Sequence, residues 1–490
     1  HQANPNPNYS TQNFFGVYVG DTWKVNSKFT LNYGLRWNPF IPLQFMQSDT
    51  TNFSLANFYG GVRSKVVPNA PPGFSYPGDA GFAGRSGMDG AYNHFEPRIG
   101  LAFDPFGDGK TAIRAGIGTA YDFIFQGVHQ NTSSVNPYRI TVLANGVSLD
   151  DPYATVAGGN PFPYTYDKKN LQFRYAPDYQ GFYLMPKDLR TTQQYQWNLG
   201  IQRQFTPALF ASATYIGSQL IHTWTAIDLN PGQFIPGSSP VATGCPQNTS
   251  TGLFPNSCLQ NIDRRRLLSA QNPAGAGTVL GIMTNMDDGG TQRYNALLLT
   301  ATWRKQNLNL SANYTWSHCY GLPYTSVANI GAAYTHEQYQ NNGPADRKID
   351  YGDCVVGNLD QRHIANITAV INTGKGVGNS ISKWVTSNWS VSTIYTARSG
   401  WALTPYLAND QAVNGLFANA GGYQIAQRPN QVLVDTASAA RGQGCTPAPC
   451  INWLNPAAFA LPALGAYGNM GTGSVRAPGF FEWEIGRAHV

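Results

Sequence analysis

The sequence predicts an all-β protein of long antiparallel strands, and the pattern favours a transmembrane β-barrel over a secreted β-sandwich or propeller. Three observations support this class: apolar and polar residues alternate over long stretches, short and long connections alternate along the chain, and charged residues are only 12% of the 490 residues. A period of two is the pattern of a strand with one apolar and one polar face. The low charge, with 52 glycines and 32 prolines, argues against helical bundles, coiled coils and acidic disorder.

The alternation predicts five pairs of strands, each joined by turn-forming residues. In the first pair, Leu31 and Leu35 alternate with Asn32 and Arg36. The pairs are 14–25 with 29–38, 96–104 with 110–121, 194–205 with 208–218, 292–303 with 308–318, and 362–373 with 387–398. Most of these segments are long enough for a tilted strand to cross a bilayer, which takes about 9–11 residues.

The connections between the pairs are long and rich in Gly, Pro, Asn and Ser. They cover residues 39–95, 122–193, 219–291 and 319–361. Connections beyond about 15 residues are uncommon in compact soluble domains. Short turns on one side and long loops on the other are typical of outer-membrane barrels. A helical membrane span is excluded, because the chain has no run of about 18 apolar residues.

The charges give no sign of a nucleic-acid partner. The net charge of +6 is spread along the chain, and the densest basic run, Arg264 to Arg266, lacks flanking aromatic residues for stacking on bases. The six cysteines form no Cys-x-x-Cys pair, which argues against structural zinc.

Possible catalytic and metal-binding motifs are weak. His94 and Glu96 alternate as metal ligands on a strand could, but ordinary structural roles are favoured. His336-Glu337 lacks the second histidine of a metalloprotease motif. Three aspartates of one long connection fit no calcium-loop template, so solvated carboxylates are favoured there: Asp346, Asp350 and Asp353. The sequence therefore predicts no catalytic residue, no metal site, no cofactor and no enzymatic activity.

Several segments resemble the barrel of TonB-dependent outer-membrane receptors, and the likeness is closest to the Oar-like group. They occur in the expected order across residues 14–480: Phe14–Val25, Leu31–Trp37, Glu96–Pro105, Gln196–Arg203, Tyr294–Leu297, Asn313–Ser317, Asp360–His363 and Trp453–Phe459. The resemblance implies an outer-membrane receptor with extracellular long loops, which binds and imports a scarce ligand by TonB-dependent active transport. The implied partners are outer-membrane lipid, a TonB system engaged through a region before His1, and a peptide, glycan or chelate as ligand.

The chain also departs from the pattern of these receptors. It shows no plug-like segment or TonB box, Gly468–Gly473 differs from the family's usual glycine motif, and no closing strand is evident. Residues 485–490 look like translated sequencing adapter. We therefore interpret 1–484 as a fragment of the barrel domain, expected to form at most an open sheet, and 485–490 as a non-native tail. A passive porin-like channel and a secreted or surface β-rich binding protein remain as alternatives.

The resemblance and the alternation together predict which residues face the lumen. Leu31 and Tyr33 are expected to face lipid, because the opposite choice would place Arg36 in hydrocarbon at a cost of roughly 2–4 kcal/mol. The lumen-lining candidates are Arg36, Gln196 and Gln202, and ligand specificity is expected in the four long loops.

All six cysteines fall outside the predicted strand cores and on the long-loop side, an oxidising environment for an outer-membrane protein. Three local disulfides are predicted, with three reduced pairs as the alternative: Cys245 with Cys258, Cys319 with Cys354, and Cys445 with Cys450.

Overall fold

The computed structural model describes most of the chain. It covers residues 2–489 except 4–8, 124–125, 140, 143–147, 155–158, 161, 174–180, 269–279, 323–349, 355–359, 375–379, 383–386, 408, 416–426, 445 and 447–450.

Eleven long strands form one antiparallel sheet, in which each strand lies beside its neighbours in the sequence. They are β1 (Val17–Lys24), β2 (Phe29–Trp37), β3 (Phe95–Phe103), β4 (Thr111–Asp122), β5 (Thr192–Gln204), β6 (Leu209–Asp228), β7 (Met283–Lys305), β8 (Leu308–Gly321), β9 (His363–Asn372), β10 (Trp389–Arg398) and β11 (Phe480–His489). Two short strands complete a sheet of 13, Phe182–Leu184 parallel to β7 and Gly352–Asp353 antiparallel to β8.

The remaining elements are short and lie in the connections. The helices that the structure describes over their whole length are α1 (Leu55–Tyr59) and α2 (Gln126–Gln130), with 3-10 turns at Asn131–Ser133, Ile262–Arg265 and Pro456–Ala458. Residues 267–268 and 380–382 are also helical. Two-residue strands pair Gln2–Ala3 with Thr141–Val142, Ser10–Thr11 with Gln44–Phe45, Asn52–Phe53 with Phe74–Ser75, Ser238–Ser239 with Phe254–Pro255, Ala402–Leu403 with Val475–Arg476, and Asn430–Gln431 with Phe459–Ala460. Among the described residues, no helix has the length and apolar character needed to span a membrane.

All five predicted strand pairs are present as hairpins, but β6 and β7 extend further than expected. They contain 20 and 23 residues and remain paired as far as Asp228 and Thr284. The register shifts on either side of Thr223, and His222 has a positive φ of 58°. This irregularity interrupts the alternation, which explains why the sequence pattern stops short of the strand ends.

An eleventh strand, β11, corrects the expectation that no closing strand follows the last hairpin. Its residues pair with β10 from Phe480 opposite Arg398 to His489 opposite Trp389. In the part of the chain that the structure describes, β1 pairs only with β2 and β11 only with β10, so the sheet is open, as expected. The non-native origin of residues 485–490 stays a prediction.

The register gives the sheet one apolar and one polar face. One row of paired residues carries mostly large apolar side chains: Leu31, Leu101, Ala115, Leu199, Tyr215, Leu297 and Trp316. The next row points to the other face and is mostly small or polar: Asn32, Gly100, Gly116, Asn198, Ile216, Ala296 and Ser317. On the apolar face Leu199 is 55% and Trp316 is 56% exposed. A large exposed apolar surface of this kind marks contact with a membrane or a partner.

The short turns all lie at the same end of the strands, but the residues beside them do not belong to a single row of paired residues. The pair Lys24–Thr30 beside the first short turn belongs to a row that reaches Ile364 of β9 through the intervening strands. In β9 the short-turn end is Asn372, eight residues beyond Ile364. A strand rises about 3.4 Å per residue, and neighbouring strands lie about 4.8 Å apart. If all the short turns lie at one level, the strands must therefore be inclined by roughly 40° to the direction perpendicular to that level. This inclination is that of the strands in a β-barrel.

Most of the buried core that the structure describes lies in the long connections, although Met283 of β7 and the short strand Phe182–Leu184 also belong to it. The described parts of three connections, 38–94, 123–191 and 229–282, pack together as a layer at one end of the strands, which we call the loop layer. Its main cluster contains fourteen buried residues: Phe53, Phe58, Val67, Ala70, Phe74, Tyr76, Val135, Tyr138, Phe173, Phe182, Leu184, Leu268, Leu280 and Met283. The long connections are therefore held together by burial of apolar surface.

Candidate functional site

The candidate site is the polar face of the sheet together with the loop layer at its end. The three lumen-lining candidates share this face but form no single cluster. Gln196 pairs with Gly118 and Gln202 with Ala112, six residues further along β5, which is about 20 Å. Arg36 lies three strands away, in β2, opposite Glu96. Its Nε is 3.7 Å from Glu96 Oε2.

Two exposed arginines on this face, Arg98 of β3 and Arg114 of β4, were missed by the sequence analysis. Their signal was present, because both occupy polar-face positions of correctly predicted strands. Arg98 pairs with Gly34 and Gly118. These glycines leave space on either side of the Arg98 side chain.

A cavity of about 490 Å³ lies on the polar face at this point. It is lined mainly by polar residues and glycines of β2 to β5, including Asn32, Arg98, Gly116, Gln196 and Asn198. Its donors and acceptors can hydrogen-bond a polar ligand, and the guanidinium of Arg98 adds positive charge. Of the three candidates, Gln196 lines this cavity, whereas Arg36 and Gln202 do not.

The loop layer is fixed by buried polar contacts as well as by its apolar cluster. The Tyr138 hydroxyl donates to the Thr50 carbonyl at 3.0 Å, and the Tyr166 hydroxyl donates to Asp49. Each bond joins the first long connection to the second. Burial, followed by the contact with Asp49, raises the pKa of Tyr166, so this phenol stays protonated and remains a donor.

A buried histidine joins the same two connections. The Nε2 of His129 in α2 lies 2.8 Å from the Ser86 carbonyl, to which it donates, and the ring packs edge-on against Phe45 with centroids 5.2 Å apart. Burial lowers the pKa of His129 to about 4. The imidazole is therefore neutral at physiological pH.

An ion cluster joins the two remaining long connections, 322–362 and 399–479, to the end of β8. It contains His318, Asp353, Asp360, Arg362 and Arg476. His318 Nε2 is 2.8 Å from Asp353 Oδ1, and Arg362 Nη2 is 3.0 Å from Asp353 Oδ2. Burial alone would raise the pKa of Asp353. The hydrogen bonds from His318 and Arg362 have the larger combined effect, so the pKa of Asp353 lies below its usual value.

Two of the three predicted disulfides are present on this side. Cys245–Cys258 and Cys319–Cys354 have Cα–Cα distances of 5.7 and 5.4 Å. The Cys319–Cys354 bond lies beside the ion cluster, because the Cys319 amide donates to Asp360 Oδ1 at 2.7 Å. The predicted pair of Cys445 and Cys450 lies outside the described residues.

The basic run Arg264 to Arg266 has a structural role. Arg266 is buried, and its Nε donates to Asp263 at 2.7 Å. Arg265 is also buried, and it donates to the carbonyls of Cys258 and Val413, the latter in the last long connection. These two guanidinium groups lie inside the protein and are not available to a nucleic acid.

The side chains of the weak metal-binding motif His94 and Glu96 contact other groups of the protein. His94 stacks on Tyr121, with centroids 4.0 Å apart, and Glu96 accepts hydrogen bonds from Asn38 and the Tyr121 amide. Ordinary structural roles, as favoured, account for both.

The favoured interpretation of the aspartates as solvated carboxylates is wrong for two of them. Asp350 is buried and paired with Arg428, and Asp353 belongs to the ion cluster. Asp346 and His336-Glu337 lie outside the described residues. In the described part of the chain, no group of three or more His, Cys, Asp or Glu side chains is arranged to hold a metal ion.

The sequence matches a family described as "Outer membrane beta barrel domain" over residues 1–487. None of the curated proteins matches it. Similar solved structures include the FrpB iron transporter from Neisseria meningitidis (F3-3 variant), with 8% identity, 84% of this chain and 36% of that chain covered, and a TM-score of 0.34. The outer membrane transporter YddB from Escherichia coli has 9% identity, coverages of 86% and 46%, and a TM-score of 0.37. The siderophore receptor PirA from Acinetobacter baumannii has 11% identity, coverages of 79% and 33%, and a TM-score of 0.32. The chain thus spans less than half the length of these proteins.

Proposed function

Because this chain belongs to the outer membrane beta barrel domain family, we propose that it is part of a receptor that binds a scarce ligand and imports it by TonB-dependent active transport. The long connections would be extracellular and the short turns periplasmic. The ligand would be a peptide, a glycan or a chelate. The chain would act by binding and passage, without catalysis.

The observation that carries the proposal is the division of the sheet into two faces. The apolar face is exposed, as required of a surface in contact with outer-membrane lipid. The opposite face is polar and holds the cavity beside Arg98 and Gln196. Arg36, Gln196 and Gln202 would line the ligand path through the lumen.

The loop layer supports a receptor role. The parts of its connections that the structure describes are held together by the buried aromatic cluster and by the hydrogen bonds of Tyr138 and Tyr166. A binding surface that is already ordered loses less conformational entropy when a ligand binds. Ligand specificity would therefore reside in this layer, and the polar face would conduct what the layer has bound.

Uptake measurements test the proposal. The complete gene that encodes this chain is expressed in a transport-deficient strain, with and without an intact TonB system, and growth on candidate peptides, glycans and ferric chelates is measured. TonB-dependent growth is expected. Uptake that persists without TonB would identify a passive porin-like channel instead.

A membrane assay distinguishes the remaining alternative. A barrel protein should fractionate with outer membranes, need detergent for solubility and migrate differently on gels before and after heating. A protein that is soluble without detergent would be a secreted or surface binding protein, and the transport proposal would be abandoned.

A further inference from the structure

The apolar face contains a groove. It has a volume of about 640 Å³ and lies across β5 to β9. Its floor consists of alanines that pair across the sheet, Ala211 with Ala301 and Ala301 with Ala312. Larger side chains form its walls, among them Ile201, Leu299, Tyr314 and Ile367. The groove is therefore a recess in a surface that is otherwise covered by large apolar residues.

The groove follows one row of the sheet and is inclined to the plane of the membrane. The row begins at Arg203, passes through the three floor alanines and ends at Ile367. The row crosses four inter-strand spacings and is about 19 Å long. This is the length of an extended hydrocarbon chain of roughly sixteen carbon–carbon bonds.

The two ends of this row lie at different depths. Arg203 is one residue from the short-turn end of β5, whereas Ile367 is five residues from the short-turn end of β9. With strands inclined by roughly 40°, the Ile367 end lies about 10 Å further from the short-turn rim than the Arg203 end. In the membrane orientation proposed above, one end would lie at the membrane interface and the other in the hydrocarbon.

The interfacial end carries a positive charge with no acidic partner among the described residues. The guanidinium of Arg203 lies over the rings of Phe106 and Phe205, at 5.2 and 5.8 Å from their centroids. Its Nη1 donates to Thr111 Oγ1. These contacts orient the guanidinium and leave most of its five donors for another acceptor. A phosphate group can accept two parallel hydrogen bonds from a planar guanidinium, as a carboxylate can.

We propose that this groove is a binding site for one anionic phospholipid from the leaflet at the short-turn rim. The phosphate would bind Arg203, and one acyl chain would lie over Ala211, Ala301 and Ala312 towards Ile367. The charge, the apolar lining and the depth of the two ends all fit such a molecule. The site is separate from the polar face, so it would stay in place while a ligand passes through the protein.

Native mass spectrometry tests the site. The complete protein is reconstituted in vesicles of phosphatidylcholine with phosphatidylglycerol, extracted in mild detergent, and the lipids that remain bound are counted. Wild-type protein should retain one phosphatidylglycerol in preference to phosphatidylcholine. Arg203→Gln should reduce this retention about tenfold, as expected for the loss of one charge-assisted contact. Ala301→Phe should abolish it by filling the groove.

Matched controls separate the groove from the rest of the surface. Arg304→Gln removes a neighbouring charge from the polar face, and Ala115→Phe adds a ring to the apolar face outside the groove; both should retain the lipid. If Ala301→Phe does not fold, as judged by heat-dependent migration, the smaller Ala312→Leu replaces it. A phosphatidylglycerol with a photoreactive acyl-chain end should label residues 363–372.

Four results would overturn the proposal. Equal retention of the two lipids, or retention by the filled groove, would show that the bound lipid is not specific to it. Photolabelling spread uniformly over the residues of the apolar face would show the same. A wild-type dimer that Ala301→Phe disrupts would mean that a second copy of the chain occupies the groove.

Discussion

Asp360 and Arg476 form an ion pair although 116 residues separate them in the chain. Asp360 is completely buried, and it also binds Arg362 and the amide of Cys319. This one carboxylate therefore joins the last long connection to the end of β8 and to its disulfide.

Asp360→Asn should destabilise the packing of the two last connections by about 3 kcal/mol, because Arg362 and Arg476, both about one third exposed, lose the counter-charge of a fully buried carboxylate. Limited proteolysis of residues 399–479 measures this effect, and cleavage should become faster. Asp89→Asn is the control, since Asp89 forms a half-exposed pair with Lys187 at 3.6 Å. Its loss should cost less than about 1 kcal/mol. Equal cleavage of both variants would contradict the role assigned to Asp360.

The loop layer should open more readily in acid because of His129. Burial lowers the pKa of His129 from 6.5 to about 4, so its contribution to stability is complete above pH 6.5 and is lost as the pH falls towards 4. The loss amounts to about 3 kcal/mol. Hydrogen exchange of residues 126–138, corrected for the intrinsic effect of pH, measures it. His129→Gln should remove this pH dependence, and an unchanged dependence would assign it to another group.

The two disulfides should differ in their contributions to stability. The Cys319–Cys354 bond closes a segment with a sequence separation of 35 and the Cys245–Cys258 bond one of 13. The restriction of the unfolded chain predicts about 4 and about 3 kcal/mol. Thermal unfolding of the paired Cys→Ser variants, measured with and without reductant, compares them. The reverse order would mean that native contacts, and not loop length, determine the effect.

The two faces of the sheet should differ in chemical accessibility. Leu199 lies on the apolar face and Asn198 lines the polar cavity. In a membrane, Leu199→Cys should react with a lipid-soluble maleimide and Asn198→Cys with a water-soluble one. The opposite pattern would reverse the assignment of lipid and lumen.

The hairpins could be predicted from the sequence because each depends on local alternation and local turn residues. Leu31 to Trp37 shows this alternation without any knowledge of its neighbours. The register irregularity at Thr223 hides the outer part of β6. The strand Phe480–His489 could not be predicted, because the sequence analysis interprets residues 485–490, which include its second half, as a non-native tail.

The loop layer could not be predicted, because its order depends on contacts between distant segments. Phe74 and Phe173 pack at 5.6 Å between centroids, yet neither belongs to a periodic pattern. The candidate site was predicted only in part for a related reason. Alternation assigns Arg36, Gln196 and Gln202 to a face, but only the register shows which of them lies near Arg98.

The loop layer has a consequence for biogenesis. If the long connections are extracellular, as proposed, each must cross the bilayer before the shared aromatic cluster can form. Phe53, Tyr138 and Leu268 come from three different connections, so none of them can complete the cluster alone. Packing of the layer is then the last step of insertion. It would also stabilise the inserted state, because withdrawing any one hairpin from the membrane would first require the whole cluster to be disrupted.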